Sequence, residues 1–294
     1  MLGQHIVNGV TLGALYALIA TGYSLVFSMV GMINLAFGAV LTVGSLVGYQ
    51  YAVEMGWGHL AGFVVAMAIC GLLGLATDAV AVQPIRRQRL PIYFALLSTY
   101  GFNVLVQSLS ENVTLKAWAT EFRPFPPPFA VQVYQAWGVR FSNMDVLIVV
   151  MVLVAMAMLH WYMKHTWGGK AVRMTASRPE VAEIMGVNTR RVIAYAFAAS
   201  GVLAALAGMM LGMYYGTVSA GLGAAPGTKG FIAVLIGGRG QISGAVLGAV
   251  ILGLLESLAA GVIGSGYRDL VAFTVLVLFL LLKPSGLLGG SASA

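Results

Sequence analysis

Few residues in this chain could do chemistry, and their spacing leaves fewer still. His5, His59, His160 and His165 are scattered along 294 residues, with no carboxylate arrangement that would build a nucleophile relay or a zinc site. One cysteine, Cys70, excludes an internal disulfide and any cysteine metal centre. No G-x-x-x-x-G-K-[ST] phosphate loop occurs. The Gly-rich "GGRGQISG" (237–244) lacks the Lys-Ser/Thr ending and lies between apolar runs, so it reads as a break between membrane helices and not as a nucleotide cradle. Glu256 is different. It sits inside the apolar run 242–263, where a carboxylate is costly enough to need a partner or a cavity. No cation stands at helical spacing from it, so a protonated or hydrogen-bonded packing role is expected. The chain is therefore read as a non-enzyme with no metal site and no cofactor of its own.

The elements that carry these residues belong to a membrane. The chain is 60% hydrophobic and 9% charged, with 38 glycines and a mean hydropathy of +0.91. No soluble globular domain has such a composition. Apolar runs fall at about 5–29, 33–52, 61–82, 91–110, 144–163, 191–216, 242–263 and 268–283, each near the ~20 residues that a spanning helix needs. The expected fold is all-α: one polytopic domain over 1–294 with about eight transmembrane helices, some of them broken or re-entrant. The first run has no Lys or Arg before it and no clear cleavage site after it, unlike a signal peptide.

Charge orients the spans. The net charge is +7, and nine of the sixteen Lys/Arg fall in two clusters: Arg86, Arg87 and Arg89, then Lys164, Lys170, Arg173, Arg178, Arg190 and Arg191. Both lie between apolar runs, as cytoplasmic loops do under the positive-inside rule. A nucleic-acid surface would interleave aromatics on a soluble scaffold, and none is visible. With the basic loops inside, the N-terminus and the aromatic connection 111–143 lie outside. That connection carries Trp118, Phe122, Phe125, Phe129, Tyr134 and Trp137 around Pro124 and Pro126–Pro128, suited to a membrane surface or to a delivered protein.

Two apolar regions are interrupted. In 30–44 the interruptions are Gly31, Asn34 and Gly38. In 217–241 a short apolar piece, 230–236, is flanked by Gly, Pro, Lys229 and Arg239. Irregular backbone at membrane depth is tolerated only where protein or a water-filled cavity satisfies it. Asn34, Phe37, Gly38, Gly230, Gly237 and Gly238 are therefore the candidate substrate-pathway residues. The regions share the string Gly38–Leu41 and Gly244–Leu247, and interrupted segments in both halves point to an inverted repeat. Asn103 and Gln107, four apart, are expected to bond between helices, and Asp78 to pair with Arg86 or Arg87. Gly9–Gly13, Gly212–Gly216 and Gly244–Gly248 mark expected close helix crossings.

One stretch, 168–191, is polar in an apolar chain. Ser177-Arg178-Pro179-Glu180 has the form of a capping box, with Ser177 as N-cap and Pro179 in the first turn. Val181, Ile184 and Met185 form an apolar edge, Gly186 suits a C-terminal cap, and Asn188 suits the N-cap of the next helix. A short cytoplasmic helix over about 177–186 follows. It serves either to lie on lipid or to dock a partner.

Here the chain resembles the permease subunits of branched-chain (hydrophobic) amino acid ABC importers. The resemblance rests on Ala176, Ala182, Met185-Gly186-Val187-Asn188, Arg191, Phe197 and Ala204–Gly208. It extends to "NGVTLGALYALIATGYSLVFSMVGMINLAFGAV" (8–40), "VLIGGRGQISGAVLGAVILGLLESL" (234–258) and "KPSGLLG" (283–289). At Ala36-Phe37-Gly38 the chain departs from the "NFAHG" string of such permeases and loses a polar group from the expected pathway. The resemblance implies a transmembrane permease of a bacterial inner membrane. It would work with a second homologous permease, two cytoplasmic ATPase subunits that bind the ATP, and a periplasmic or extracellular solute-binding protein. The ATPase-coupling residues would be Ser177, Arg178, Pro179, Glu180, Ala182, Glu183, Met185, Gly186 and Asn188. Two other classes fit the same broken helices: an ion-coupled secondary transporter, for which only Glu256 qualifies as a coupling carboxylate, and an ABC permease for urea or short amides.

Overall fold

The computed structural model describes residues 2–88, 90–118, 121–136, 138–238, 240–283 and 285–288. Arg89, Trp137, Arg239, the side chain of Trp118, and Pro284 and Gly289 of the tail lie outside the described residues. The helices run in order as α1 (Leu2–Val30), α2 (Phe37–Tyr49), α3 (His59–Thr77), α4 (Gln83–Arg87), α5 (Ile92–Trp118), α6 (Asn143–His165), α7 (Trp167–Ser177), α8 (Pro179–Ile184), α9 (Thr189–Tyr215), α10 (Ala224–Gly237), α11 (Ile242–Val262) and α12 (Arg268–Leu282). A π-helical turn extends α2 through Gln50–Glu54, and another joins α3 to α4 through Asp78–Val82. Four short strands accompany them: β1 (Arg123–Pro124), β2 (Val133–Ala136), β3 (Val139–Ser142) and β4 (Thr217–Val218).

Among the described residues, seven helices are long and apolar enough to cross a membrane. Seven of the eight expected runs are accounted for in this way. The eighth, 33–52, folds as a six-residue irregular entry followed by the 13-residue α2. Gly31 at φ 70° ends α1 and makes that entry possible. The same order recurs later. The long α9 ends at Gly216, with φ 69°, and an irregular stretch then leads to the 14-residue α10. By element order the repeat matches α2 to α10, whereas the shared four-residue string falls near the starts of α2 and α11. The connection expected outside is also shorter than 111–143, because α5 continues to Trp118.

The chain divides into two compact units. The first comprises residues 1–24, 129–156 and 228–294. Here α1 packs against α11 so closely that a Cβ at Gly9 would lie 2.9 Å from the Leu254 Cα, and one at Gly13 would lie 3.0 Å from the Val250 Cα. Gly237 of α10 likewise abuts Gly244 of α11, and Ala233 abuts Gly248. Small residues let backbones approach where lipid supplies no hydrophobic drive between helices. Gly9–Gly13 and Gly244–Gly248 are thus crossings, as their spacing suggests. A β2–β3 hairpin lies against the start of α1, where Gln4 takes both backbone groups of Arg140 at 2.8 and 2.9 Å.

The first unit also answers for Glu256. Its side chain is 2% exposed, and it meets Lys229 Nζ of α10 at 2.6 Å. Tyr16 Oη donates to its other oxygen at 3.0 Å. Lys229 reaches Asp269 of α12 as well, at 2.9 Å. The cation missing at helical spacing comes from 27 residues away in sequence.

The second unit comprises residues 25–128 and 157–227. Its centre is α2, α3 and α9, again joined through glycines: Gly44 against Ala205, Gly208 against the Leu41 carbonyl, Gly74 against Phe197 and Gly201 against Cys70. At the end bearing the basic clusters, Val82, Val172, Ile193 and Phe197 join Leu25, Val26 and Met29 in one buried apolar cluster.

An unpaired buried charge costs far more than a lost apolar contact. Lys229→Ala should therefore lower the unfolding free energy of the purified protein by about 3–5 kcal/mol. The double exchange Lys229→Met with Glu256→Gln keeps an acceptor for Tyr16 and should recover most of the loss. Equal stabilities of the single and double variants would remove the ion pair from the account.

Candidate functional site

The interrupted segments are where the backbone needs partners, and the structure supplies them from three directions. In the first break, 31–36, the Ala36 N–H donates to Asn34 Oδ1 at 3.1 Å. The Leu35 N–H donates to Thr99 Oγ1 at 3.4 Å, and the Ala39 N–H to Asn103 Oδ1 at 3.2 Å. In the second break, 216–223, Gln107 Nε2 donates to the Ala220 carbonyl at 2.6 Å. Thr99, Asn103 and Gln107 are each four residues apart on α5, so one polar stripe serves both breaks. The expected interhelical role of Asn103 and Gln107 is met, and Thr99 extends it by one turn. The signal was in the sequence: three polar side chains at four-residue spacing in an apolar run.

The breaks also hold each other within the second unit. Thr42 Oγ1 of α2 accepts from the Gly223 N–H at 3.0 Å and donates to the Gly38 carbonyl at 3.2 Å. A Cβ at Gly38 would stand 3.2 Å from the Gly223 carbonyl oxygen. From outside, the Phe125 N–H donates to the Gly216 carbonyl at 3.0 Å, and β1 pairs with β4 in the register Arg123–Val218 and Pro124–Thr217. Gly212 packs under Phe125, whereas Gly216 is a helix cap with open space around it and no crossing.

Asn34, Phe37 and Gly38 thus gather at the first break beside 216–223. Asn34 and Phe37 are 5% and 1% exposed. Gly230, Gly237 and Gly238 are buried in α10 and just beyond it, in the first unit. Gly230 abuts Ile19, Gly237 abuts Gly244, and Gly238 takes φ 116° against Gly286.

On the basic side, the polar stretch forms two helices. Thr166 caps α7, accepting from the Gly169 N–H at 3.0 Å. Ser177 ends α7 and donates to the Met174 carbonyl, so Arg178, without a side-chain cap, precedes α8. The expected capping box does not form, because the chain stays helical through Ser177. The other end agrees with expectation. Gly186 takes φ 82°, the Val187 N–H reaches the Ala182 carbonyl at 2.9 Å, and the Gly186 N–H reaches Glu183 at 3.0 Å. Asn188 Oδ1 caps α9 through the Arg191 N–H at 3.0 Å. Thr189 Oγ1 donates to Glu183, which ties α8 to the start of α9, and Arg190 donates to Gln83 at 2.8 Å, which ties the start of α9 to α4.

Ala182 is buried, whereas Ser177, Arg178, Pro179, Glu180, Glu183, Met185, Gly186 and Asn188 are exposed. Ile184 and Met185 are 85% and 69% exposed, beside a depression of about 380 Å³ lined by Glu183, Gly186–Thr189 and Arg190. Asp78 is buried with its Oδ1 unbonded; the expected pairing with Arg86 or Arg87 is not among the described ion pairs. No cluster of His, Cys, Asp or Glu able to hold a metal occurs among the described residues.

These features can be compared with known proteins. The chain is 35% identical to LivH of Escherichia coli K12, the "high-affinity branched-chain amino acid transport system permease protein", over 97% of its own length and 95% of that protein. Identity and coverage are the same for BraD of Pseudomonas aeruginosa, which has the same description. The fold resembles PsaBC of Streptococcus pneumoniae, solved with a Fab, at a TM-score of 0.52 and 14% identity, covering 95% and 91% of the two chains. The family described as "Branched-chain amino acid transport system / permease component" matches residues 5–280. A predominantly helical chain with seven spanning candidates among its described residues and relatives matched over nearly their whole length leads to one assignment: it belongs to the branched-chain amino acid transport system permease components.

Proposed function

We propose that this multi-pass inner-membrane permease is the transmembrane subunit of an ABC importer for branched-chain or related hydrophobic amino acids. It lines the solute route with a second homologous permease. Two cytoplasmic ATPase subunits drive it, and a solute-binding protein loads it from outside; ATP is bound by those ATPase subunits and not by this chain. The observation that carries the reading is the α8 corner, where a helix bonded to the start of α9, which is itself bonded to α4, turns its apolar edge outward. A helix merely lying on lipid needs no such ties to the spanning helices. The ion pair at Glu256 weighs against ion coupling, since the carboxylate already has a fixed cation.

In this reading residues 177–186 contact the ATPase. Gly186 holds φ 82°, a conformation that a β-branched residue avoids and Asn tolerates. Gly186→Val should cut solute-stimulated ATP hydrolysis by the assembled complex about fivefold or more while leaving the protein in the membrane. Gly186→Asn should stay near wild type. Unaltered stimulation and uptake in the Val variant would remove the coupling assignment.

Asn34, Phe37 and Gly38 line the route. Asn34 and Phe37 are buried and Gly38 is half-buried in this state, so single cysteines there (with Cys70 replaced) should react far more slowly with small aqueous thiol reagents at rest than during turnover. Inertness of all three throughout the cycle would place the route elsewhere.

The α5 stripe sets the shape of both breaks. Asn103→Leu strands the Ala39 N–H and should destabilise the protein by about 1–3 kcal/mol in thermal or denaturant unfolding. Ser108→Ala, exposed on the same helix, is the control that should change nothing.

A further inference from the structure

We propose that Phe125 is a positioning residue for transport. Segment 121–126 forms a fixed brace that holds the 216–223 break, and it is not a loose docking loop. The inference rests on the importer reading above for its transport consequence, and on the structure alone for the brace itself.

Aromatic residues at a membrane surface ordinarily turn toward headgroups and lipid. Phe122 and Phe129, at 60% and 37% exposure, are free to do so, but Phe125 is 0% exposed. Its ring meets Tyr49 of α2 edge-on, with centroids 5.6 Å apart at 85°. It stacks on His59 of α3 at 6.0 Å and 12°, and it covers the backbone of α9 at Gly212. A side chain at Gly212 would remove the space for the ring. His59 Nε2 also lies 2.9 Å from the Pro126 carbonyl oxygen. One ring is thus wedged among the three helices at the centre of the second unit.

The backbone around the ring goes to the break. Phe125 N–H bonds the carbonyl of Gly216, where α9 stops, and Arg123–Pro124 pairs with Thr217–Val218. Backbone freed by a broken helix must find partners at membrane depth. Here the start of the break has the brace, its middle has Gln107, and its end has Thr42. Pro124 and Pro126–Pro128 narrow the backbone freedom of the segment that supplies the first of these. Without the ring, 121–126 would keep the His59–Pro126 bond and its pairing with 217–218 but lose the buried anchor that fixes it among α2, α3 and α9. The start of the break would then be held less firmly, while its end keeps Thr42.

The test uses the chain in lipid nanodiscs and in the assembled importer. In nanodiscs, Phe125→Ala should speed amide hydrogen exchange of 217–223 by about tenfold or more while α3 and α9 stay protected. Phe125→Leu should restore most of the protection. Unchanged exchange at 217–223, or an equal rise across the whole unit, would overturn the brace whether or not the chain imports amino acids. In the importer, Phe125→Ala should leave basal ATP hydrolysis intact and raise the ATP consumed per leucine taken up by about fivefold or more; an unchanged ratio would overturn the positioning role. A wild-type complex that fails to take up leucine would instead sink the importer reading and leave the exchange result to judge the brace.

If Phe125→Ala does not fold, a disulfide between Arg123→Cys and Val218→Cys, with Cys70 replaced, takes its place. Paired antiparallel residues have Cα atoms about 4.5–5.5 Å apart, within disulfide reach. The locked complex should transport as the reduced one does. A block released by reductant would show that the segment must detach, and the brace would fall.

Discussion

A backbone amide at membrane depth has no water to turn to, and this structure is organised around that constraint. Continuous helices satisfy it internally. The two broken segments cannot, and each unsatisfied group would cost several kcal/mol in hydrocarbon. The second unit solves the problem with side chains from neighbouring helices. Thr99, Asn103 and Gln107 on α5 and Thr42 on α2 all serve backbone groups at or beside the breaks. The glycines that join α2, α3 and α9 are part of the same solution, because a four-atom polar side chain spans to a neighbour's backbone only when the helices stand close. Burying the break and crowding the helices are one requirement.

The corner on the basic side obeys a different logic. Water is available there, so polar groups need not be paired, and the bonds that form serve rigidity. Gly186 turns the chain, Asn188 starts α9 at once, the Thr189 contact fixes α8 to α9, and the Arg190 contact fixes α9 to α4. Val172 of α7 enters the same apolar cluster as Val82 and Phe197. A push on the α8 corner therefore meets the ends of spanning helices and not a flexible loop. In the proposed importer, the contribution of this chain to an energised cycle is to transmit displacement.

Much of this was legible in the residues. Periodicity and hydropathy marked the spans, and the basic clusters marked one side. Gly186 and Asn188 were readable because caps are local: a φ near 80° and an N-terminal acceptor are written in single positions. The capping box at Ser177 misled for the same reason. Local pattern cannot tell whether the preceding helix stops, and α7 continues through Ser177. The α2 run looked long enough to span because length was read from hydropathy, while its entry is set by Gly31 and by acceptors on α5, far off in sequence. Lys229 and Phe125 were invisible as partners. Each acts across tens of residues, Lys229 on Glu256 and Phe125 on Gly216, and neither spacing follows a helical or strand period.

The Lys229–Glu256 pair clarifies what sort of machine the chain can be. An ion-coupled transporter needs a carboxylate whose partner changes during the cycle, so that a proton or cation can enter and leave. Here the carboxylate is buried, and it is held by a lysine on one oxygen and a tyrosine on the other. Lys229 in turn bridges to the exposed Asp269, joining α10, α11 and α12 within one unit. Breaking such a pair strands a charge at a cost well above thermal energy, and nothing in the first unit offers Glu256 a second cation among the described residues. The network favours one arrangement of α10 against its neighbours. A chain built to hold that arrangement has to be moved from outside, which agrees with a permease whose free energy is supplied by partner subunits.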